Sequence, residues 1–253
     1  MLRQAPLGVL SDIDGTLAPI VPRPEDARVP EETRELLRAL MARGVRVALV
    51  TGRSLAMARA MVGLDEAAYA AEHGLSLWLD GRLETASGAE EYEPLAAEAE
   101  RDLSVLASVP GVQVENKGPL LAVHYRRADD AAAARQAALA AIGRSAAAGR
   151  FRVHEGRMVL ELRPPLGVNK GTAAETLIER LGLAAVACLG DDVTDIDMFA
   201  AVGRRREQGL DATVMAVASG EATPALLEAA DYTLEGTEGV RRLLAELLRA
   251  LPA

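Results

Sequence analysis

The stretch from residue 7 to residue 17, Leu-Gly-Val-Leu-Ser-Asp-Ile-Asp-Gly-Thr-Leu, decides the fold of this chain. It begins with an uncharged apolar run, which is typical of a strand buried in a parallel sheet. Asp12 and Asp14 follow one residue apart, at the carboxyl end of that strand. Residues i and i+2 of an extended segment point the same way, and open α/β sheets bind ligands beyond the carboxyl ends of their strands. The two carboxylates are therefore predicted to face one substrate, although a plain Asp-Gly turn after a strand would have the same sequence.

Further apolar runs alternate with helix-like stretches along the chain, and this alternation predicts an α/β fold with a parallel sheet. The strand-like runs are at 7–11, 44–51, 186–190 and 211–217, and the helix-like stretches include 31–43 and 171–181. A hairpin is predicted from residues 75–79 and 82–84, because Asp80-Gly81 between them is a strong two-residue turn signal.

The pattern changes between residues 94 and 166, where an antiparallel α+β module of order αββαββ is predicted. Its helices are expected at 94–109 and 129–148, and its strands at 112–116, 120–126, 151–154 and 157–163. We therefore predict a core of residues 1–93 and 167–253, with residues 94–166 inserted into it. The insert carries ten basic and eight acidic residues, against 18 and 29 in the remainder. A weakly basic module over an acidic core suits an anionic ligand held near a metal, although an offset this small also arises by chance.

Composition narrows the class of protein. The chain has 253 residues, 50% of them apolar, and a formal net charge of −9, which predicts a globular chain and argues against nucleic-acid binding. No uncharged stretch is long enough for a membrane span and no signal peptide is recognisable, so we expect a cytoplasmic protein without a membrane partner. Cys188 lies in an apolar run and is expected in a buried strand. The histidines at 73, 124 and 154 lack metal-ligand spacing, which disfavours zinc.

Three more segments carry chemistry-bearing residues. Residues 50–54, Val-Thr-Gly-Arg-Ser, end the second strand and offer a hydroxyl and backbone amides that suit an anion, although an ordinary turn would also read this way. Residues 168–171, Val-Asn-Lys-Gly, open a predicted helix. Residues 190–195, Gly-Asp-Asp-Val-Thr-Asp, place three acids within five positions after the third strand. Acids packed this densely repel one another unless a cation is present.

Lysine is almost absent from the chain. Of 28 basic residues only Lys117 and Lys170 are lysines, and both fall in motif segments. A lysine offers a compact point charge where arginine offers a planar fork, so a site that places one ammonium beside a phosphoryl oxygen and a carboxylate would not accept arginine. Two lysines that remain by chance in an arginine-rich chain would give the same count.

Together, residues 12–16, Thr51, Lys170 and residues 190–192 resemble, in this order, the four motifs of the haloacid dehalogenase superfamily of phosphohydrolases. That resemblance implies a Rossmann-like core with a parallel sheet. The inserted module resembles the superfamily's C2-type cap, whose possessors mostly act on sugar phosphates and similar metabolites.

Strings in the insert and beside it resemble trehalose-6-phosphate phosphatases more closely. They are Glu115-Asn-Lys117-Gly, His124-Tyr-Arg126, Glu161-Leu-Arg163-Pro and Gly167-Val-Asn169-Lys170-Gly. Ile196 departs from the pattern, since that family commonly has glutamate there. The resemblance implies Mg²⁺-dependent hydrolysis of trehalose 6-phosphate in trehalose biosynthesis, with a trehalose-phosphate synthase as a conceivable partner. The alternatives are another sugar-phosphate phosphatase, for sucrose phosphate or a glycosyl-phosphoglycerate, and a catalytically silent domain that senses sugar phosphates.

Phosphate monoesters are inert in water, so each catalytic task needs a candidate residue. Asp12 is expected to attack phosphorus and form an aspartyl phosphate, and Asp14 to act as general acid and then base. Thr51 and the Gly52 amide are expected to hold phosphoryl oxygens, and Lys170 to balance their charge.

Metal and sugar ligands are predicted as two further sets. For Mg²⁺ they are Asp12, the Asp14 carbonyl and Asp191, with Asp192 or Asp195 completing the shell or orienting Lys170. For the substrate the resemblance favours Gly52, Arg53, Glu115, Lys117, Arg126, Glu161 and Asn169. Charges on the antiparallel strands of the insert would also suit a face that is exposed to solvent.

Overall fold

A computed structural model describes residues 5–21, 23–218 and 222–252 of the chain. These residues form twelve strands and eight α-helices. The strands are β1 (Leu7–Ser11), β2 (Arg46–Val50), β3 (Ala68–Ala71), β4 (Ser76–Leu79), β5 (Arg82–Thr85), β6 (Gln113–Asn116), β7 (Leu121–His124), β8 (Arg152–Gly156), β9 (Val159–Arg163), β10 (Ala185–Gly190), β11 (Asp211–Ala218) and β12 (Tyr232–Glu235). The helices are α1 (Glu31–Ala42), α2 (Leu55–Val62), α3 (Tyr92–Asp102), α4 (Ala131–Arg144), α5 (Lys170–Arg180), α6 (Asp195–Glu207), α7 (Pro224–Glu228) and α8 (Gly236–Ala250).

The chain divides into two compact units, a core unit of residues 1–84 and 168–253 and an insert unit of residues 85–167. The sequence placed these boundaries at 93/94 and 166/167. Residues 85–93 fall in the insert unit because α3 begins there, and because the Tyr92 ring packs edge-on against Phe151 with centroids 5.3 Å apart. Within the described ranges, no helix has both the length and the apolar character needed to cross a membrane.

The core unit is built on an eight-stranded sheet of order β12-β11-β10-β1-β2-β3-β4-β5. Strand β1 lies in its middle, parallel to β2 and β10, and all five of its residues are buried. Ser11 aligns with Leu49 of β2 and with Leu189 of β10, so the segments that follow these strands emerge side by side at one sheet edge. The α/β fold with a parallel sheet is thereby confirmed. Its registers bring Asp12, residues 51–53 and residues 190–195 together.

Each face of this sheet is covered by apolar helix surfaces. Val9 of β1 belongs to the cluster that includes Leu40 of α1 and Leu244 of α8, whereas Leu10 belongs to the cluster with Leu177 of α5 and Phe199 of α6. Successive strand residues point to opposite faces, which explains the division. Each fully buried side chain of this kind contributes about 1.5–3 kcal/mol, so the core holds β1 and its carboxyl end in a fixed position.

The insert unit contains a four-stranded antiparallel sheet of order β6-β7-β9-β8. Its elements follow in the order helix, strand, strand, helix, strand, strand. One face of the sheet packs on the helices, where Leu121 and Leu162 join Ala99 of α3 and Ile142 of α4 in one apolar cluster. The other face carries Glu115, Ala122 and Glu161 in one cross-strand row. That polar row is the part of the insert with recognisable chemistry.

Candidate active site

Asp12 and Asp14 flank the end of β1 differently. Asp12 is 4% exposed, and its amide donates to the carbonyl of Leu189 at 3.0 Å, which extends the parallel ladder by one step. Asp14 is more exposed and belongs to the following turn, where Gly15 has φ +79°. A Cβ at Gly15 would lie 2.0 Å from the nearer carboxylate oxygen of Asp191. Only glycine therefore allows the turn and the acidic segment 190–195 to approach this closely.

Lys170 is the first residue of α5 and points into the acidic cluster. Asn169 caps this helix, accepting from the Thr172 amide at 2.9 Å while the Thr172 hydroxyl accepts from the Asn169 amide at 3.1 Å. The Lys170 ammonium lies 2.9 Å from Asp12 Oδ1 and 2.8 Å from Asp195 Oδ1, and the residue is 4% exposed. Asn169, predicted to bind substrate, uses its side chain to start the helix that carries Lys170.

Asp195 is fully buried, and both of its carboxylate oxygens accept hydrogen bonds. Oδ1 accepts from Lys170, and Oδ2 accepts from the amides of Asp191 and Asp192, at 3.0 Å each. Asp192 turns its own carboxylate to the Val193 amide at 2.7 Å. Asp195 therefore orients both Lys170 and the loop that carries Asp191.

Thr16 is a residue of the first motif to which the sequence interpretation assigned no role. It is fully buried, and its hydroxyl donates to Asp191 Oδ1 at 3.4 Å. Its place in the Asp-Ile-Asp-Gly-Thr stretch was the signal that could have identified it.

Burial governs the electrostatics of this cluster. It raises the pKa of Asp12 well above the ordinary value, the attraction of Lys170 opposes that rise, and Asp195 and Asp191 add to it. For Lys170 burial alone would lower the pKa, but the attraction of Asp12 and Asp195 and their hydrogen bonds raise it overall. Lys170 is thus held as an ammonium ion, and its positive charge lies against two of the three buried acids, Asp12 and Asp195.

The buried acids Asp12, Asp191 and Asp195 fit a divalent cation. One carboxylate oxygen from each lies within 4.8 Å of the other two. Hard oxygen donors in this number suit a cation such as Mg²⁺, whose charge would offset their repulsion. Because both oxygens of Asp195 already accept hydrogen bonds, Asp12 and Asp191 are better placed as direct ligands.

The segment after β2 lies beside this cluster. Thr51 is 1% exposed, and its hydroxyl accepts from the Arg53 amide at 3.1 Å. Ser54 then caps α2 by accepting from the Met57 amide at 3.4 Å. Arg53, predicted to bind substrate, donates from Nε and Nη2 to the two carboxylate oxygens of Asp14, at 2.6 and 2.7 Å. The predicted acid and base therefore has an arginine partner.

The insert unit holds a charged cluster of its own. The Lys117 ammonium lies 3.8 Å from Glu115 and 3.7 Å from Glu161, and its side chain is only 7% exposed. His124 Nε2 lies 2.8 Å from Glu115 Oε2, and Arg163 Nε donates to Glu161 Oε2 at 2.9 Å. The structure thus brings together three of the four insert residues predicted to bind sugar. Arg126 instead lies past the end of β7, exposed, with its guanidinium donating to the Arg157 carbonyl at 3.0 Å.

A family model described as Trehalose-phosphatase matches residues 10–232. The chain belongs to the trehalose-phosphatase family. The match includes residues 12–16, Thr51, Lys170 and the acidic segment, together with the whole insert unit. The resemblance read from the motifs is therefore confirmed.

Two relatives show how the trehalose-phosphatase chains differ in length. Trehalose-phosphate phosphatase of Mycobacterium avium (strain 104) is 38% identical over 249 residues, which cover 95% of this chain and 63% of the relative. Probable trehalose-phosphate phosphatase 9 of Oryza sativa subsp. japonica is 36% identical over 207 residues, covering 76% and 54%. This chain thus spans less than two thirds of the length of either relative.

Solved structures support the fold of this family member. A trehalose-6-phosphate phosphatase related protein superimposes with a TM-score of 0.79 at 24% identity, covering 96% of this chain and 97% of that one. The C-terminal domain of trehalose-6-phosphate phosphatase from C. albicans also gives a TM-score of 0.79, at 23% identity, covering 97% and 92%. The chain shares their fold.

Proposed function

We propose that this chain is a Mg²⁺-dependent phosphatase that hydrolyses trehalose 6-phosphate to trehalose and phosphate, a reaction of trehalose biosynthesis. Membership of the trehalose-phosphatase family supports the reaction class and the sugar. One structural observation carries the chemistry, namely that the buried Lys170 ammonium joins Asp12 to Asp195 at the end of β1. This arrangement prepares one carboxylate for attack beside a fixed positive charge.

Asp12 is the nucleophile in this proposal. Its carboxylate oxygen forms a bond to phosphorus as the bond from phosphorus to the sugar oxygen breaks, which leaves an aspartyl phosphate. Asp14 gives its proton to the departing sugar oxygen, and then takes a proton from the water that cleaves the intermediate and releases phosphate. The Lys170 ammonium balances charge on the phosphoryl oxygens, which the Thr51 hydroxyl and the Gly52 amide help to hold.

Asp14 cannot perform either transfer while Arg53 binds both of its oxygens. At least one oxygen has to leave the guanidinium for the sugar oxygen and later for water. Asp14 has 32% of its side chain exposed against 12% for Arg53, so the carboxylate has the greater freedom to move. Arg53 would then hold Asp14 near the reaction centre between transfers.

Mg²⁺ would be held by Asp12, Asp191 and the backbone carbonyl of Asp14, with Asp195 and Asp192 fixing the surrounding loop. When bound, it supplies positive charge that stabilises the phosphoryl oxygens in the transition state. Asp195 also positions Lys170, which accounts for its complete burial.

Sugar recognition is assigned to Glu115, Lys117 and Glu161 of the insert unit, with Arg126 as a further contact. Sugar hydroxyls need both donors and acceptors, and the two carboxylates and the ammonium offer them from one polar cluster. Arg163 holds the Glu161 carboxylate from the side, which sets the direction of its lone pairs.

The test is a phosphate-release screen over a panel of sugar phosphates, with and without Mg²⁺. Trehalose 6-phosphate should be hydrolysed fastest, in the presence of Mg²⁺, and the Asp12→Asn variant should release no phosphate. A higher kcat/KM for sucrose phosphate or a glycosyl-phosphoglycerate would refute the assigned substrate. Binding of sugar phosphates without any turnover would refute the enzyme and favour a sensing domain.

A further inference from the structure

The turn of residues 72–74, Glu-His-Gly, directly follows β3 and has an unusual backbone. Its three φ values are +46°, +59° and +103°. Side-chain-bearing residues rarely adopt the left-handed region, and two in succession persist only where their surroundings hold them there. Glu72 and His73 are 4% and 6% exposed, although both side chains are polar. Such strain in a buried polar turn indicates a positioning role.

The backbone of this turn is bonded to the segment that is proposed to hold the phosphoryl group. The Glu72 amide donates to the Arg53 carbonyl and the His73 amide donates to the Thr51 carbonyl, both at 2.9 Å. The Glu72 side chain adds a third bond, because its Oε1 accepts from the amide of Leu55 at 2.8 Å. Leu55 begins α2, so Glu72 satisfies one of the amides that a helix leaves open at its start.

His73 supports the same segment by contact. A Cβ at Gly52 would lie 2.5 Å from His73 Nε2 and 2.6 Å from Cε1. The imidazole therefore lies directly against the Gly52 backbone, and no larger residue fits at position 52 while the ring stays in place. The ring thereby limits how far the Gly52 amide can retreat.

Gly74 connects the turn to α5, the helix that begins at Lys170. A Cβ at Gly74 would lie 2.8 Å from Ala173 Cβ, and Ala173 is in the first turn of α5. Lys170 begins that helix. One strained turn therefore touches both the Thr51–Arg53 segment and the helix that presents Lys170.

We propose that Glu72, His73 and Gly74 are positioning residues that set the distance between the Gly52 amide and the Lys170 ammonium. This role deepens the proposed function and rests on it, because both groups are assigned there to phosphoryl oxygens. None of the three residues needs to touch substrate. Their substitution should weaken the binding of inorganic phosphate itself, whatever sugar is attached in the substrate.

The sharpest test uses Gly52→Ala, His73→Asn and the double variant, with inorganic phosphate titrated by calorimetry in the presence of Mg²⁺. Gly52→Ala should weaken phosphate binding roughly tenfold or more, because its methyl group meets the ring. Asparagine accepts the left-handed backbone and lacks the distal ring atoms, so the double variant should bind phosphate at least about threefold more tightly than Gly52→Ala. If the two substitutions weaken phosphate binding independently, so that the double variant shows the product of the two single losses, the proposal is overturned.

A conservative pair checks Glu72. Glu72→Gln keeps a carbonyl oxygen for the Leu55 amide, whereas Glu72→Ala removes it. Glu72→Ala should lower kcat/KM about equally for trehalose 6-phosphate and p-nitrophenyl phosphate, and Glu72→Gln should recover most of the loss. Equal losses in both variants, or a loss confined to the sugar substrate, would contradict a role in phosphoryl positioning. If the unsubstituted protein binds phosphate but does not hydrolyse trehalose 6-phosphate, only the proposed function is refuted. The positioning role can still be tested then, because calorimetry requires no turnover.

Discussion

Arg53 binds the carboxylate of Asp14 with two hydrogen bonds, from Nε to Oδ2 at 2.6 Å and from Nη2 to Oδ1 at 2.7 Å. The planar guanidinium matches both carboxylate oxygens at once, and it thereby fixes the plane and direction of Asp14. The proposed nucleophile, Asp12, thus has a lysine as its partner, and the proposed general acid, Asp14, has an arginine. The two carboxylates of the motif are assigned different tasks, and their environments already differ in this way.

Replacing Arg53 by lysine should lower kcat/KM for trehalose 6-phosphate roughly 10- to 100-fold, because a point charge cannot hold Asp14 in one plane. The loss should be smaller for p-nitrophenyl phosphate, whose leaving group needs little protonation. Steady-state kinetics on both substrates measure the difference. Arg204→Lys, in an exposed pair with Glu175, is the matched control and should change neither rate. An equal loss of kcat/KM on the two substrates would show that Arg53 has no role in protonating the leaving group.

Asp12→Asn should lower turnover more than about a thousandfold on every phosphate ester, because an amide is a far weaker nucleophile than a carboxylate. Phosphate release measures this, with the circular dichroism spectrum as the control for folding. Beryllium or aluminium fluoride with Mg²⁺ should bind at Asp12 in a crystal of the parent chain. A fluoride complex on a different residue would overturn the assignment of the nucleophile.

The two lysines of the chain form a natural pair for a charge-conserving experiment. Lys170→Arg should lose most activity on all substrates. The planar guanidinium of arginine does not fit where the lysine ammonium lies 2.9 Å from Asp12 and 2.8 Å from Asp195. Lys117→Arg should affect only sugar phosphates. Removing the charge, in Lys170→Met, leaves buried acids without their cation and should destabilise the fold by about 3–5 kcal/mol in urea unfolding. If Lys170→Arg hydrolyses its substrates at nearly the rate of the unsubstituted protein, position 170 does not require lysine, and the small number of lysines has no functional meaning.

Sugar specificity should depend on the insert cluster. Glu161→Ala should lower kcat/KM for trehalose 6-phosphate roughly 10- to 100-fold, because a lost contact to a sugar hydroxyl leaves a buried partner unpaired. Hydrolysis of p-nitrophenyl phosphate should stay nearly unchanged, since that substrate has no sugar. Arg126→Ala should give the same split if Arg126 leaves the Arg157 carbonyl for substrate. A variant that loses both activities equally would show that its residue supports the fold or the phosphate site.

Mg²⁺ should raise the melting temperature, by roughly 5–10 °C at a hundredfold excess over its Kd. Asp191→Asn should abolish the rise, whereas Asp197→Asn, at an exposed position of α6, should retain it. The pKa of Asp12 is higher in the folded protein than in the unfolded chain. In the absence of metal, Asp12 therefore contributes most to the free energy of unfolding at low pH, and this contribution is lost as the pH rises through the pKa of Asp12 in the folded state. Because Mg²⁺ competes with that proton, the rise in melting temperature should be larger at mildly alkaline pH than at acidic pH. A rise independent of pH would place the ion away from these acids.

Several sequence predictions depended on local pattern and matched the structure closely. β1 was predicted at 7–11 and is Leu7–Ser11, and α5 was predicted from 171 and begins at Lys170. β3 was missed because three of its four residues are alanine, which has a low strand propensity, and its position comes from pairing with β2. The helix expected to run to 109 leaves α-helical geometry at Asp102 and continues as a 3₁₀ helix, Leu103–Ser108.

The sequence by itself determined the family and the parallel α/β core, and it supplied the residues that are proposed for the phosphate site, because each follows from periodicity or from a short motif at the end of a strand. The sequence offered Asp192 or Asp195 as the partner of Lys170 and named none for Asp14, and tertiary structure decided both pairs. Asp14 and Arg53 are 39 residues apart, and Lys170 and Asp195 are 25 apart. Parallel strand registers bring such segments to one edge, and burial then decides which charges must pair, since an isolated charge in the core costs too much free energy.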